Sequence, residues 1–136
     1  MATTVADLIA DCEPRDFTPF PTLAEANANG KPRLTIVVSC MDPRCSIEKF
    51  IGLNVGSKTG ELVMQSRNAG GNIRFAVRDI LLIDRQFGLD EVVVVHHTDC
   101  GSLTFTNEGL RDAVKERIDS AHWSEIDKIN WGANTE

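Results

Sequence analysis

Leu34-Thr35-Ile36-Val37-Val38-Ser39-Cys40-Met41-Asp42-Pro43-Arg44 decides how the rest of the chain is read. Its first half is a largely apolar, β-branched run, with the length and composition of a strand buried on both faces. A thiol, a carboxylate and a guanidinium follow at once. A second apolar run, Val92 to Val95, ends in the same way and delivers His96, His97, Asp99 and Cys100. The expectation is that the two strand ends lie side by side and hold one metal ion, with Asp42 and Arg44 beside it.

Outward from this stretch the hydrophobic period alternates between strand and helix. Ser46 to Leu53 reads as a short helix with Ile47, Phe50 and Ile51 inward. Glu61 to Ser66 reads as a second strand, followed by a tight loop over Asn68-Ala69-Gly70-Gly71-Asn72. Ile73, Ala76, Val77, Ile80 and Leu81 fall at helical spacing, which predicts a helix to about Phe87 that Gly88 ends. Glu91 to His96 is the third strand and the most apolar. Thr106 is an N-cap candidate for a helix with Leu110, Val114 and Ile118 on one face. The tail, His122 to Glu136, is read as one helix from the spacing of Ile126 and Ile129.

The order β-α-β-α-β-α predicts an α/β fold, a parallel β-sheet core flanked by helices and joined by right-handed crossovers. Ligands of such sheets bind outside the carboxyl ends of the strands. Cys40 and the His97–Cys100 segment occupy two of those ends. We read one domain over residues 1–136: an N-terminal arm over 1–31, a catalytic core over 32–120 and a tail over 121–136. Within the arm, residues 1–12 are read as a short helix and Thr22 to Asn29 as a helical turn. Pro14, Pro19 and Pro21 break the segment between them.

The 136 residues are 42% hydrophobic and 25% charged, an ordinary soluble composition. The net charge of −6 argues against nucleic acid or an anionic membrane as partner. No apolar run approaches the ~20 residues that span a bilayer. The acidic start of the chain suits neither a secretory signal nor an Arg-rich transit peptide, so a cytoplasmic location is expected. In that reducing compartment the four cysteines, Cys12, Cys40, Cys45 and Cys100, point to metal binding or catalysis more than to disulfides. Buried packing is the competing reading for each thiol.

Zinc takes cysteine thiolate and histidine nitrogen in a tetrahedral shell, and a catalytic zinc keeps its fourth position open. Cys40, His97 and Cys100 supply such a three-ligand set. A structural zinc would need a fourth ligand, for which Cys45 and His96 are the candidates. Cys45 is read as packing, and His96, facing away from His97 by strand alternation, as a hydrogen-bonded core residue. Two thiolates and a neutral imidazole cancel the ion's charge, so the site acidifies its water less than an all-histidine shell does. Asp42 is placed to bind hydroxide or take a proton, and Arg44 to orient Asp42 by a bidentate pair. The expected reaction is metal-hydroxide attack on a small electrophilic carbon.

Cys40-Met41-Asp42-Pro43-Arg44 resembles the C-x-D-x-R signature of the β-class carbonic anhydrases. His97-Thr98-Asp99-Cys100-Gly101 resembles their H-x-x-C-G, and Arg67-Asn68-Ala69-Gly70 the R-N-A-G between the two. Order and separation agree over about residues 30–120, and the short-chain branch is the most similar. The resemblance implies one Zn²⁺ per chain on Cys40, His97 and Cys100. It implies a catalytic Asp42–Arg44 pair, a substrate-facing backbone N–H at Gly101, and hydration of CO₂ to bicarbonate. It also implies a homodimer or higher oligomer. In some members the aspartate ligates zinc instead, and both states stand open for Asp42. Relatives with the same zinc set hydrolyse carbonyl sulfide or carbon disulfide, so that activity, or a non-catalytic role, stands as an alternative. The family continues beyond the last helix into another helix and a strand. The chain to Glu136 leaves little room for them, which predicts a fold truncated in its C-terminal part.

Overall fold

The structure is a computed structural model that describes residues 5–6, 28, 33–47 and 61–133. The chain divides into two compact units, Met1–Lys31 and Pro32–Glu136, and the elements that follow belong to the second. Apart from Val5, Ala6 and Ala28, the arm helix over 1–12 and the turn over 22–29 lie outside the described residues. So does most of the helix expected over Ser46 to Leu53.

Three strands form one parallel sheet in the order β2-β1-β3: β1 Arg33–Cys40, β2 Glu61–Asn68 and β3 Glu91–Val95. β1 lies in the middle, and its apolar run is what that position demands. Leu34, Ile36, Val37 and Val38 are each no more than 2% exposed. Burying four such side chains is worth about 1.5–3 kcal/mol apiece. β1 pairs with β2 from Arg33↔Glu61 to Cys40↔Asn68, and with β3 from Thr35↔Glu91 to Ser39↔Val95. This register brings the end of β1 level with the end of β3. Cys40 and the segment after Val95 therefore share the carboxyl edge.

β2 runs two residues beyond the expected Ser66, because Arg67 and Asn68 still pair with Ser39 and Cys40. A 3-10 turn over Ala69–Gly71 then leads into α1, Ile73–Phe87. The Asn68 side chain brackets that turn, donating through Nδ2 to Asn72 O at 3.0 Å and accepting from Asn72 N at 2.7 Å. Asn72 caps α1 by accepting from Arg74 N, and Gly88, at φ 70°, closes it with an N–H donated to Asp84 O. Only glycine reaches that φ without steric cost. α1 packs against β2 and β1.

Thr106 caps α2, Asn107–Lys115, by accepting from Gly109 N at 3.0 Å. Ile118 lies beyond the helix it was grouped with. The tail is not one helix. Asp119 caps a 3-10 turn over Ser120–His122, and α3, Trp123–Ile126, is a single α-helical turn. Lys115 holds this segment to α2 through Asp127 and sits 5.6 Å from the Trp123 ring centre. Trp131 N donates to Asn107 Oδ1 at 2.8 Å, which returns the chain to the start of α2. These tertiary anchors outweigh the helical spacing of the two isoleucines. Among the described residues no helix is long and apolar enough to cross a membrane.

Candidate metal centre

The parallel register delivers three donors to one place. Sγ of Cys40, a ring nitrogen of His97 and Sγ of Cys100 lie within 4.8 Å of one another. The two sulfurs are 3.7 Å apart and both thiols are free. A disulfide requires about 2.05 Å. His97 Nδ1 lies 2.9 Å from Thr98 O, which leaves Nε2 as the free lone pair. Nε2 is buried and has no hydrogen-bond partner. A buried ring nitrogen without a partner costs free energy unless something accepts its lone pair. Beside two sulfurs, the chemistry of that donor set fits zinc. Neither proposed fourth ligand joins the group. Cys45 is buried beside Cys40 and Cys100, and burial pushes its thiol up from the ordinary value. His96 stands at the surface rather than in the core, with Nε2 3.2 Å from Gly71 O.

The Cys100 thiol is lowered to about 7. The main cause is the hydrogen bond from Ser102, whose Oγ is 3.1 Å from the sulfur, with a second from the Ser102 backbone. Ser102 is itself buried, so this donor is held in place by the 3-10 turn Gly101–Thr104.

Asp42 turns its carboxylate to Arg44. Oδ1 accepts from Arg44 N at 2.8 Å and Nε at 3.0 Å, and Oδ2 accepts from Nη2 at 2.8 Å. This pairing holds the carboxyl well below the usual carboxylate range and raises the guanidinium above its own. Of the two arrangements left open for Asp42, the structure therefore has the one paired with Arg44. Arg44 also donates to Asp99, through Nη2 to the backbone oxygen at 3.1 Å and through Nη1 to Oδ2 at 3.4 Å. Asp99 sits at φ 55°, and these contacts tie its loop to the first one.

The sequence reading left Arg67 without a role. Its guanidinium reaches Cys40 O from Nε at 3.2 Å and from Nη2 at 3.1 Å, and Asp42 O from Nη2 at 2.8 Å. The only signal for it was its place in the R-N-A-G segment. A cavity of about 190 Å³ opens over the two sulfurs, lined among others by Asp42, Gly70, Gly101 and Phe105. A methyl group added at Gly101 would meet nothing within 4 Å. A cavity of about 250 Å³ between β2 and α1 holds none of these groups.

No protein-family model matches the chain. Curated relatives do. β-Carbonic anhydrase 1 of Mycobacterium tuberculosis is 35% identical over 81 residues, which are 59% of this chain and 47% of that protein. A carbon disulfide hydrolase of Acidianus is 41% identical over 73 residues, 53% of this chain and 33% of that one. The chain thus spans about half the length of these relatives or less. Among solved structures, a carbonic anhydrase from Glaciozyma antarctica superposes with a TM-score of 0.65 at 33% identity. That match covers 75% of this chain and 57% of that protein. A Streptococcus mutans carbonic anhydrase follows at TM-score 0.51 and 34% identity, covering 68% and 58%. The resemblance therefore extends from the motifs to the aligned sequence of a β-carbonic anhydrase and to the fold of solved carbonic anhydrases.

Proposed function

We propose that this chain carries a zinc site for the reversible hydration of CO₂ to bicarbonate and a proton. The observation that carries the proposal is the convergence of Cys40, Cys100 and the unpartnered, buried Nε2 of His97 within 4.8 Å, under a cavity that Asp42 lines. Cys40, His97 and Cys100 would hold one zinc per chain, and zinc there would supply the Lewis acidity that makes water a nucleophile.

The chain's own groups do the rest. Ser102 donates to the Cys100 sulfur and draws off part of its charge. Asp42, kept ionised by Arg44, offers a carboxylate oxygen as hydrogen-bond acceptor at the cavity wall and fixes the direction of an attacking O–H. We assign the Gly101 N–H, in the lining of the same cavity, the role of donating to a substrate oxygen. Phe105 and Gly70 leave an apolar wall suited to a small uncharged molecule.

A second reading, hydrolysis of carbonyl sulfide or carbon disulfide at the same site, draws on the similarity to carbon disulfide hydrolases. We also place this protein in the cytoplasm, where thiolate ligands stay reduced, and as a homodimer. Phe75, Leu81 and Leu82 on α1, each more than half exposed, are apolar surface that a second copy would cover.

Stopped-flow CO₂ hydration on protein of measured zinc content, with carbonyl sulfide and carbon disulfide in parallel, tests the proposal. Zinc-loaded protein that hydrates CO₂ supports it. H₂S release with poor CO₂ hydration selects the second reading, and zinc-loaded protein inert to all three substrates leaves a non-catalytic relative.

A further inference from the structure

We propose that Arg67 is a positioning residue that sets the place of the Asp42–Arg44 pair relative to Cys40. The proposal rests on the functional reading above. Asp42 and Arg44 are two residues apart and satisfy each other through three hydrogen bonds. Such a pair is self-contained, and its own contacts do not determine where it stands in the site. Its location comes from outside. On one side Arg44 reaches Asp99 of the second loop. On the other, Arg67 grips the backbone on which Asp42 is carried.

Arg67 lies on β2 opposite Ser39, one position before the strand ends. From there its guanidinium crosses the end of β1 and binds the carbonyls on both sides of Met41, those of Cys40 and Asp42. The intervening amide, Met41 N, is donated back to Asn68 O at 2.9 Å. Two neighbouring residues of β2 therefore hold the Cys40–Met41 peptide unit on both its faces and the carbonyl of Asp42 itself, bracketing the span from a metal-ligand candidate to the carboxylate. The spacing from Cys40 to Asp42 is thereby transmitted from the sheet.

A fork of donors suits two carbonyls, whereas lysine brings a single compact ammonium group. The Arg67 side chain is solvent-exposed. Water can therefore satisfy the two carbonyls once it is gone, and the fold survives the loss. What is lost is a fixed distance, and a misplacement of about 1 Å costs a reaction up to about 100-fold.

Arg67→Ala and Arg67→Lys in the full chain test this. The expected result for Arg67→Ala is unchanged zinc per chain, a kcat for CO₂ hydration lower by about 10- to 100-fold, and KM within about twofold. Arg67→Lys should fall between the two. Millimolar guanidinium should restore part of the alanine variant's rate and ammonium should not. A readout that needs no substrate is exchange of the Arg44 Nε–H with water, followed by ¹H–¹⁵N spectroscopy. It should become at least about tenfold faster in the alanine variant as its pairing with Asp42 loosens. Unchanged exchange, or zinc lost in step with the rate, overturns the proposal. Unmodified zinc-loaded protein without CO₂ hydration refutes the functional reading alone, and the exchange measurement still decides the role of Arg67.

Discussion

Replacing Gly71 with alanine should strike the fold and the metal site together. Gly71 is held at φ 64°, in the left-handed region. A β-carbon there would stand 3.0 Å from Cys40 N, 3.1 Å from Ser39 C and 3.2 Å from Val95 O. All three are backbone atoms of the two strands whose ends carry the thiol and the imidazole, so no side chain can swing aside to relieve the contact. The left-handed backbone costs a residue with a β-carbon about 1–2 kcal/mol, and forced shifts in packed structure about 1–3 kcal/mol. Their sum, about 2–5 kcal/mol, is a large share of the ~5–15 kcal/mol that stabilises a typical domain. With a urea slope of about 1–3 kcal/mol per molar, the midpoint should drop by roughly 1 M or more. Zinc retention under competing chelator should fall as well, because the wedge parts Cys40 from the end of β3. Gly101→Ala is the control: with nothing within 4 Å, it should change stability by no more than about 0.5 kcal/mol. A Gly71→Ala midpoint matching that of Gly101→Ala would refute the steric reasoning.

Cys40→Ser and Cys100→Ser should each leave the purified protein with far less than one zinc per chain, as read by elemental analysis; full occupancy in either would remove that residue from the ligand set. Asp42→Asn should keep its zinc but lose about 10²- to 10⁴-fold in CO₂ hydration rate, the usual share of a proton-handling group. In metal-free protein, thiolate absorbance should show the Cys100 thiol titrating near pH 7, and Ser102→Ala should move that titration upward. Because the folded value lies below the ordinary 9.0, the thiolate adds stability above about pH 9, and that increment is lost as the pH falls through about 7. Urea midpoints across this range check the sign, and a midpoint that rises on acidification contradicts it.

The elements legible in the sequence are those whose side chains repeat at a definite period. α1 could be bounded from Ile73 to Gly88 because its apolar stripe and its terminal glycine are local properties. β1 was readable because a centrally placed strand must be apolar on both faces. β3 shows the limit of that rule: it is the most apolar run, yet Val92, Val93 and Val94 are 36–41% exposed at the edge of the sheet. β-branching reports a preference for extended backbone, whereas the place in the sheet depends on chain pairing far away. The same distance hid the role of Arg67, whose partners are carbonyls of a loop more than twenty positions upstream. His96 was misassigned to the core because strand alternation was carried one residue past the end of β3 at Val95. The tail was misread because two isoleucines at helical spacing carry less weight than the anchors that Lys115 and Asn107 provide.

Cys40 and Cys100 stand 60 positions apart in the chain, which gives their meeting a topological meaning beyond chemistry. An ion bound between them acts as a reversible cross-link across the β1–β3 crossover. Chain-entropy reasoning assigns a permanent link over such a loop about 4 kcal/mol, drawn from the freedom of the unfolded chain. A bound metal would confer this for as long as both sulfurs held it, and its release and the separation of the strands would then form one cooperative event. A metal-free chain must find the distant β1–β3 register by diffusion alone, and the time it takes to refold carries the cost of that search.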